Sequence, residues 1–383
     1  MNTRTINWYS RGALLGVAGM VVCGTAPSAT AATINASTAL PKTLTVYSQG
    51  DVNVQTEWQK VLVPLFEKAY PGTTVKLVFT TEASQNTDVY DEIAASAKAG
   101  KMTSFDLVDG SVPAEAATAN LLVKVNDQEV PNIDHIDASD FSPVYDEAVP
   151  IRGSQVLLAY NSSVVKDPPK TLSALLAWIK ANPGKFTYCN PSDGGSGSGF
   201  VQDVISAYAS PADNLKFALG YYPSLEPAWD KGFAVLKSIG PDIFNHSYPD
   251  SNTGVLTELA SGAVDMASVW SDEGTAALKD GQLPSTIKLA GISPAMPGGP
   301  DYVGVPKNIP KPYQELAFEF INWTLEPTIQ ADIVKVMDGT PGIEFKYLPA
   351  SYQKLFAGYP TPSLPYSAKS GADMDSDWTT QVG

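Results

Sequence analysis

The chain has 383 residues, 44% of them hydrophobic and 17% charged, with a formal net charge of −15 at pH 7. Such acidity argues against nucleic acid as a partner and against docking on an anionic membrane through a basic patch. Of two cysteines only Cys189 lies beyond the N-terminal leader, so no intrachain disulfide is expected and stability must come from packed cores.

In chain order, the first element is an export signal. Arg4 and Arg11 give a positive start, and the apolar run from Gly12 to Cys23 is short for a bilayer span. Ala29-Thr30-Ala31 is a small-x-small cleavage site, so residues 1–31 read as a signal peptide and the mature chain begins near Ala32. Val22 is too large for the small residue that precedes a lipidated cysteine, which argues against a lipoprotein at Cys23. The destination is then the periplasm. The leader carries two Arg and no acids, so the mature charge becomes −17. The remaining 352 residues are too many for one ordinary core and suit two.

Residues 32–42 read as a flexible leader. Leu44 to Tyr47 is a strand ending in Ser48-Gln-Gly50, and Trp58, Val61, Leu62, Leu65 and Phe66 recur at helical spacing until Tyr70-Pro-Gly72. Val75 to Phe79 is the next strand, Ile93 to Ala99 a helix, Phe105 to Asp109 a third strand, and Pro113 to Leu122 an alanine-rich helix. This βαβαβα alternation predicts a parallel, doubly wound sheet. An extended run, Val149 to Asn161, follows and leads into a helix beginning after Pro168-Pro-Lys-Thr171. Further on come a strand at Phe186 to Tyr188, helices at Val201 to Tyr208 and Trp229 to Ile239, and a strand at Val264 to Trp270. Residues 284–303 are rich in Pro and Gly and return the chain, Tyr302 to Pro306 is extended, and Glu315 to Trp323 is helical. The Pro/Ser/Tyr-rich tail from Pro349 is expected to wrap over the surface.

In open α/β sheets ligands bind beyond the carboxyl ends of the strands. That rule nominates Ser48 and Gln49, Glu82, Asp109 and Ser111 on one side, and the segments Asn190 to Gly199 and Trp270 to Glu273 on the other. In the glycine run Asp193 to Gly199, read as a loop before a helix, backbone N–H groups with Ser196, Gly197, Ser198 and Gly199 suit an anionic group. The same run also reads as a plain connector whose serine caps the helix. It lacks the Lys of a P-loop. Trp270 followed by Asp272 and Glu273 suits an organic cation, although acids also begin helices for dipole reasons alone. Tyr221-Tyr222 reads as aromatic packing rather than an iron site, and His135 and His246 as surface histidines without metal-ligand spacing.

The two extended runs, Val149 to Asn161 with its Pro-Pro-Lys-Thr helix start and Tyr302-Val-Gly-Val-Pro306 with its Ala317-Phe-Glu-Phe-Ile321 helix, together resemble the lobe crossings of bacterial extracellular solute-binding proteins of ABC importers. The pattern around Pro168, Asn182 to Tyr188 and Tyr248-Pro249 is similar to the branch binding polyamines, thiamine or ferric ion. The resemblance implies an α/β periplasmic-binding-protein type II fold, two doubly wound lobes joined by a hinge. Lobe one would comprise 43–152 and 305–339; lobe two would comprise 153–304 and 340–383, the latter with the C-terminal wrap. It implies a monomer without a cofactor that captures a small solute and delivers it to the transmembrane subunits of an ABC permease. Trp270 and its acids resemble the amine-holding groups of polyamine-binding members, although Ser271 interrupts the pattern; an anionic or zwitterionic solute at the glycine run is the alternative. Some thiamine-cleaving enzymes share the fold and use a cysteine, so Cys189 carries the enzyme alternative, while its plainer reading is a buried packing residue.

Overall fold

A computed structural model describes residues 40–81, 85–141, 144–193, 195–356 and 359–383. The signal peptide, most of the leader, Glu82 and Gly194 lie outside the described residues.

Among the described residues nine strands set the frame: β1 (Thr43–Gln49), β2 (Thr74–Thr80), β3 (Leu107–Gly110), β4 (Ala148–Asn161), β5 (Phe186–Thr187), β6 (Met266–Trp270), β7 (Ile287–Ala290), β8 (Gly298–Gly304) and β9 (Thr340–Pro341). Their order is β2-β1-β3-β8-β4-β6-β5, with β7 and β9 also pairing with β4. β1 pairs in parallel with β2 and β3, as the alternation predicts. β8 runs antiparallel to both β3 and β4, so the sheet is mixed rather than parallel throughout.

β4 is the spine. Its first half pairs with β8, from Ala148 opposite Gly304 to Gln155 opposite Gly298, and its second half with β6 and β7. Side chains alternate across a strand, so a sheet covered on both faces sends neighbours into different cores. Val46, Leu107 and Val149 enter one cluster with Trp58, Phe66, Phe320 and Trp323, while Tyr47, Val108 and Ala148 enter another on the opposite face with Ile93 and Ala116. Beyond the middle of β4 the same division recurs. Val156, Leu158 and Met266 join Phe186, Phe200 and Trp229, whereas Ala159, Ala267 and Val269 join Val255, Leu259 and Cys189. Two doubly covered sheet segments therefore share one 14-residue strand.

The helix Lys311–Thr324 buries Leu316, Ala317, Phe320, Ile321 and Thr324, a helical stripe facing the first core. Phe320 stacks on Trp58 with ring centroids 5.5 Å apart.

Three segments differ from expectation. The Pro/Gly-rich return holds β7 and β8, whose pairing groups are supplied by the neighbouring β4. The tail does not simply wrap: Ala368–Gln381 is a helix that buries Met374 and Trp378 in the second core, Trp378 donating to the Tyr188 hydroxyl at 3.2 Å. Ile343 and Leu348 pack in the first core and Tyr366 in the second, so the chain changes core after Leu348 rather than at 340.

Candidate functional site between the two cores

Where β4 passes from one core to the other it carries Arg152, 1% exposed, next to a break in register with β8. Its guanidinium lies 3.3 Å from Glu57, 3.0 Å from Asp109 and 3.3 Å from Asp301. Burial opposes the Arg152 charge, and the fields of Asp109, Glu57 and Asp301 more than offset it, leaving its pKa raised. Glu57 is pushed up to about 8: burial dominates, Arg152 works the other way, and Asp109, Asp301 and Asp272 add to the rise. Asp109 Oδ2 also accepts from Ser48 Oγ at 2.7 Å and Trp58 Nε1 at 2.6 Å. Ser48 and Asp109, nominated as ligand contacts, are thus fully buried and tied to Arg152.

Gln49 and Ser111 sit nearer solvent. Asn86 joins them, donating to Gln49 Oε1 at 3.0 Å and Ser111 Oγ at 2.8 Å while accepting from the Tyr47 hydroxyl at 2.8 Å.

Facing these groups are the acids after β6. Ser271–Lys279 is a helix with Asp272 and Glu273 in its first turn, both more than nine-tenths buried. Asp272 bridges back to the first core, accepting from Asn53 Nδ2 at 2.7 Å, and is also held by Ser154 on β4. Asp51, at the start of the helix Val52–Glu57, accepts from Asn252 Nδ2 at 3.1 Å and is hydrogen-bonded to Glu273. Burial lifts Asp272 to about 6, with Ser154 and Asn53 pulling it back. Glu273 rises well above the ordinary range through burial, then through the charges of Asp51 and Asp272 and its bond to Asp51. Glu273 Oε2 is buried without a hydrogen-bond partner. The charge of Asp51 thus disfavours ionised Glu273, and a cation beside the pair would relieve that repulsion.

Trp270 and the glycine run come together. The run is not a preceding loop: the helix spans Gly195–Ser206 and includes Ser196, Gly197, Ser198 and Gly199. A Cβ on Gly195 would lie 2.9 Å from the Trp270 ring, so glycine there makes room for the indole. A Cβ on Gly199 would lie 2.6 Å from Val156 Cγ2, and one on Gly197 would overlap the Cys189 carbonyl. The first-turn donors are engaged as well, Ser196 N with Asn252 Oδ1 at 3.3 Å and Gly197 N with Cys189 Sγ at 3.2 Å. Ser196 Oγ donates to Asn252 at 2.6 Å and Ser198 Oγ to Asp375 at 2.9 Å. These glycines let a helix press onto a strand and a neighbouring carbonyl.

Cys189 is fully buried, and burial pushes its thiol up to about 11, with hydrogen bonds from Ser196 and the Gly197 backbone N–H acting against the rise. A thiol so placed is mostly un-ionised near neutral pH and a poor nucleophile. Tyr221 and Tyr222 are about half exposed, and Tyr221 donates to Asp373 at 2.8 Å. His135 Nδ1 lies 3.2 Å from the Leu325 carbonyl, and its ring rests against Tyr347.

Among the site residues that escape sequence reasoning are Asp51, Asn53, Asn86, Arg152 and Asn252. Asp51 follows the nominated Ser48-Gln-Gly50 by one position, and Arg152 is a lone charge inside an apolar run, a signal that marks a buried ion pair. Asn252 follows Ser251, whose side chain caps its helix, but nothing in the sequence brings it near Asp51.

Residues 62–357 match a family described as bacterial extracellular solute-binding protein. Among curated proteins, Protein YnjB of Escherichia coli (strain K12) is 26% identical over 261 residues, 63% of this chain, and the chain spans 64% of that relative's length. Among solved structures, the spermidine/putrescine substrate-binding protein PotD of Streptococcus pneumoniae superposes with a TM-score of 0.63 at 16% identity, covering 89% of this chain and 98% of that one. A GABA receptor superposes with a TM-score of 0.65 at 19% identity, again covering 89% and 98%. At these identities the likeness shows the fold, that of type II periplasmic binding proteins.

Proposed function

Since the chain belongs to the bacterial extracellular solute-binding proteins, we propose that it serves an ABC importer by capturing an organic cation, such as a polyamine or a thiamine-like amine, between its two lobes. The observation that carries this reading is the contact of Glu273 with Asp51 across the two cores, beside Asp272. Arg152 is already matched by Glu57, Asp109 and Asp301, so it leaves these three acids uncompensated. An ammonium placed among them gains charge-assisted hydrogen bonds and removes the cost of crowding buried carboxylates. Trp270, partly buried beside Gly195, supplies a ring face for the cation's hydrocarbon or its charge.

The mechanism is one of differential binding without covalent chemistry. Asn53 to Asp272 and Asn252 to Asp51 are bonds between the two lobes, so a cation that neutralises the acids favours the closed arrangement. That arrangement then docks on the permease, and opening there releases the solute. The relatives' solutes are polyamines for one and GABA for another, both bearing an ammonium group.

Affinity of the mature protein for putrescine, spermidine and thiamine, measured by titration calorimetry, tests the reading. Glu273→Gln and Asp272→Asn should each weaken the best of these at least tenfold, as loss of one partner of a buried charged bond does. Unchanged affinity in both variants would sink it.

A further inference from the structure

The helix Gly195–Ser206 has a second polar feature, far from the acids between the lobes. Asp203 lies eight residues beyond Gly195, about 12 Å along the axis at 1.5 Å per residue. It is 4% exposed, its Oδ2 has no hydrogen-bond partner, and it lines a groove of about 300 Å³. Ser206 of the same helix, Ala207 just past its end, Leu215 and Ala218 of the helix Pro211–Leu219, Pro294 and Tyr366 also line it.

The other polar groups of this groove already satisfy one another. The Tyr366 hydroxyl donates to Asn214 Oδ1 at 2.8 Å, Asn214 Nδ2 to the Ser206 carbonyl at 2.9 Å, and Gln202 bonds to both Leu364 and Tyr366 in the backbone. Asp203 lines the groove with a carboxyl that keeps one buried oxygen without a partner. Burial is also the one influence on its carboxyl, raising it to about 7, so no charged side chain compensates it. Buried carboxylates normally hold a cation or a donor, and a groove with one polar anchor in apolar walls is the ordinary form of a small-molecule site.

We propose that this groove is a second ligand site, taking a small primary alkylammonium or arylalkylammonium ion whose charge seats on the Asp203 carboxylate and whose hydrocarbon lies between Leu215, Ala218 and Pro294. The site is separate from the one between the lobes and stands or falls independently of it.

Hexylamine, with hexanol as the uncharged control, tests the proposal on the mature protein by titration calorimetry and by amide NMR shifts. To weaken the site between the lobes, the titration is run in the Glu273→Gln background. Hexylamine should bind there, shift amides of residues 202–218 and 363–366, and bind at least tenfold more tightly than hexanol. Asp203→Asn, nearly isosteric, should remove that preference. Ala218→Trp, which fills the groove and keeps the carboxylate, should weaken hexylamine at least tenfold. Hexylamine binding that survives both Asp203→Asn and Ala218→Trp would overturn the proposal. So would equal affinity for hexanol, or no binding in the Glu273→Gln background.

Discussion

At the scale of single residues, the site is a balance of buried carboxyls around too little positive charge. Arg152 binds three acids, and the removal of one partner leaves the others worse off than before. Arg152→Met should therefore destabilise the fold by about 3–5 kcal/mol, since breaking a buried ion pair on one side strands the opposite charge. Urea unfolding measures it, and a loss under about 1 kcal/mol would show the node to be dispensable. Much of this was hidden from the sequence. Trp270, Asp272 and Glu273 were legible because a strand end followed by two acids is a local pattern. Their partners Asp51, Asn53 and Asn252 were not, because the chain separation between Asn53 and Asp272 is 219 residues and between Asp51 and Asn252 is 201. Contacts at that range depend on how two lobes meet, which no local pattern encodes.

At the scale of elements, the helix Gly195–Ser206 shows how one composition supports two readings. A run of glycine and serine looks like a phosphate cradle, and here the glycines let the helix lie against Val156, Trp270 and Cys189. Gly199→Ala should cost about 1–3 kcal/mol through overpacking, with the helix displaced from β4. Thermal unfolding checks the figure, and an unchanged midpoint would mean that Val156 yields freely. The C-terminal helix makes a similar point. Its sequence, rich in Asp, Ser and Thr, hides two anchors, Met374 and Trp378, one turn apart and both within 2% of full burial. Trp378→Ala should cost about 3–5 kcal/mol, since it empties the space against Tyr188 and Tyr248. The strand β7 and the first part of β8 are illegible for a related reason: Pro and Gly mark turns, and pairing with β4 makes that segment extended.

At the scale of the whole molecule, the fold class was legible because the crossings are long, apolar and placed between regular α/β units. The first strands alternate with helices as a parallel sheet requires, and β4 then carries the chain from one core to the other. On the proposed reading, function at this scale is coupling between the lobes through titrating groups. Asp272 and Glu57 have folded-state pKa values of about 6 and about 8, and Glu273 is also raised, all above the ordinary carboxylate range. The folded chain therefore binds more protons than the unfolded one from about pH 4 to pH 8, so their contribution to stability falls as pH rises through that window. The ligand-free protein should melt at a lower temperature at pH 8 than at pH 5.5, and Glu273→Gln should shrink the difference. Equal midpoints at the two pH values would contradict the burial of these acids.

The most direct test of the central claim is thermal unfolding of the mature, ligand-free protein against putrescine, spermidine, thiamine, phosphate, sulfate and sugars. A ligand at about a hundred times its dissociation constant adds about 2.7 kcal/mol, enough to move the midpoint measurably. The account predicts a rise with amines that is markedly smaller in Glu273→Gln. A rise with phosphate or sulfate and none with any amine would contradict it.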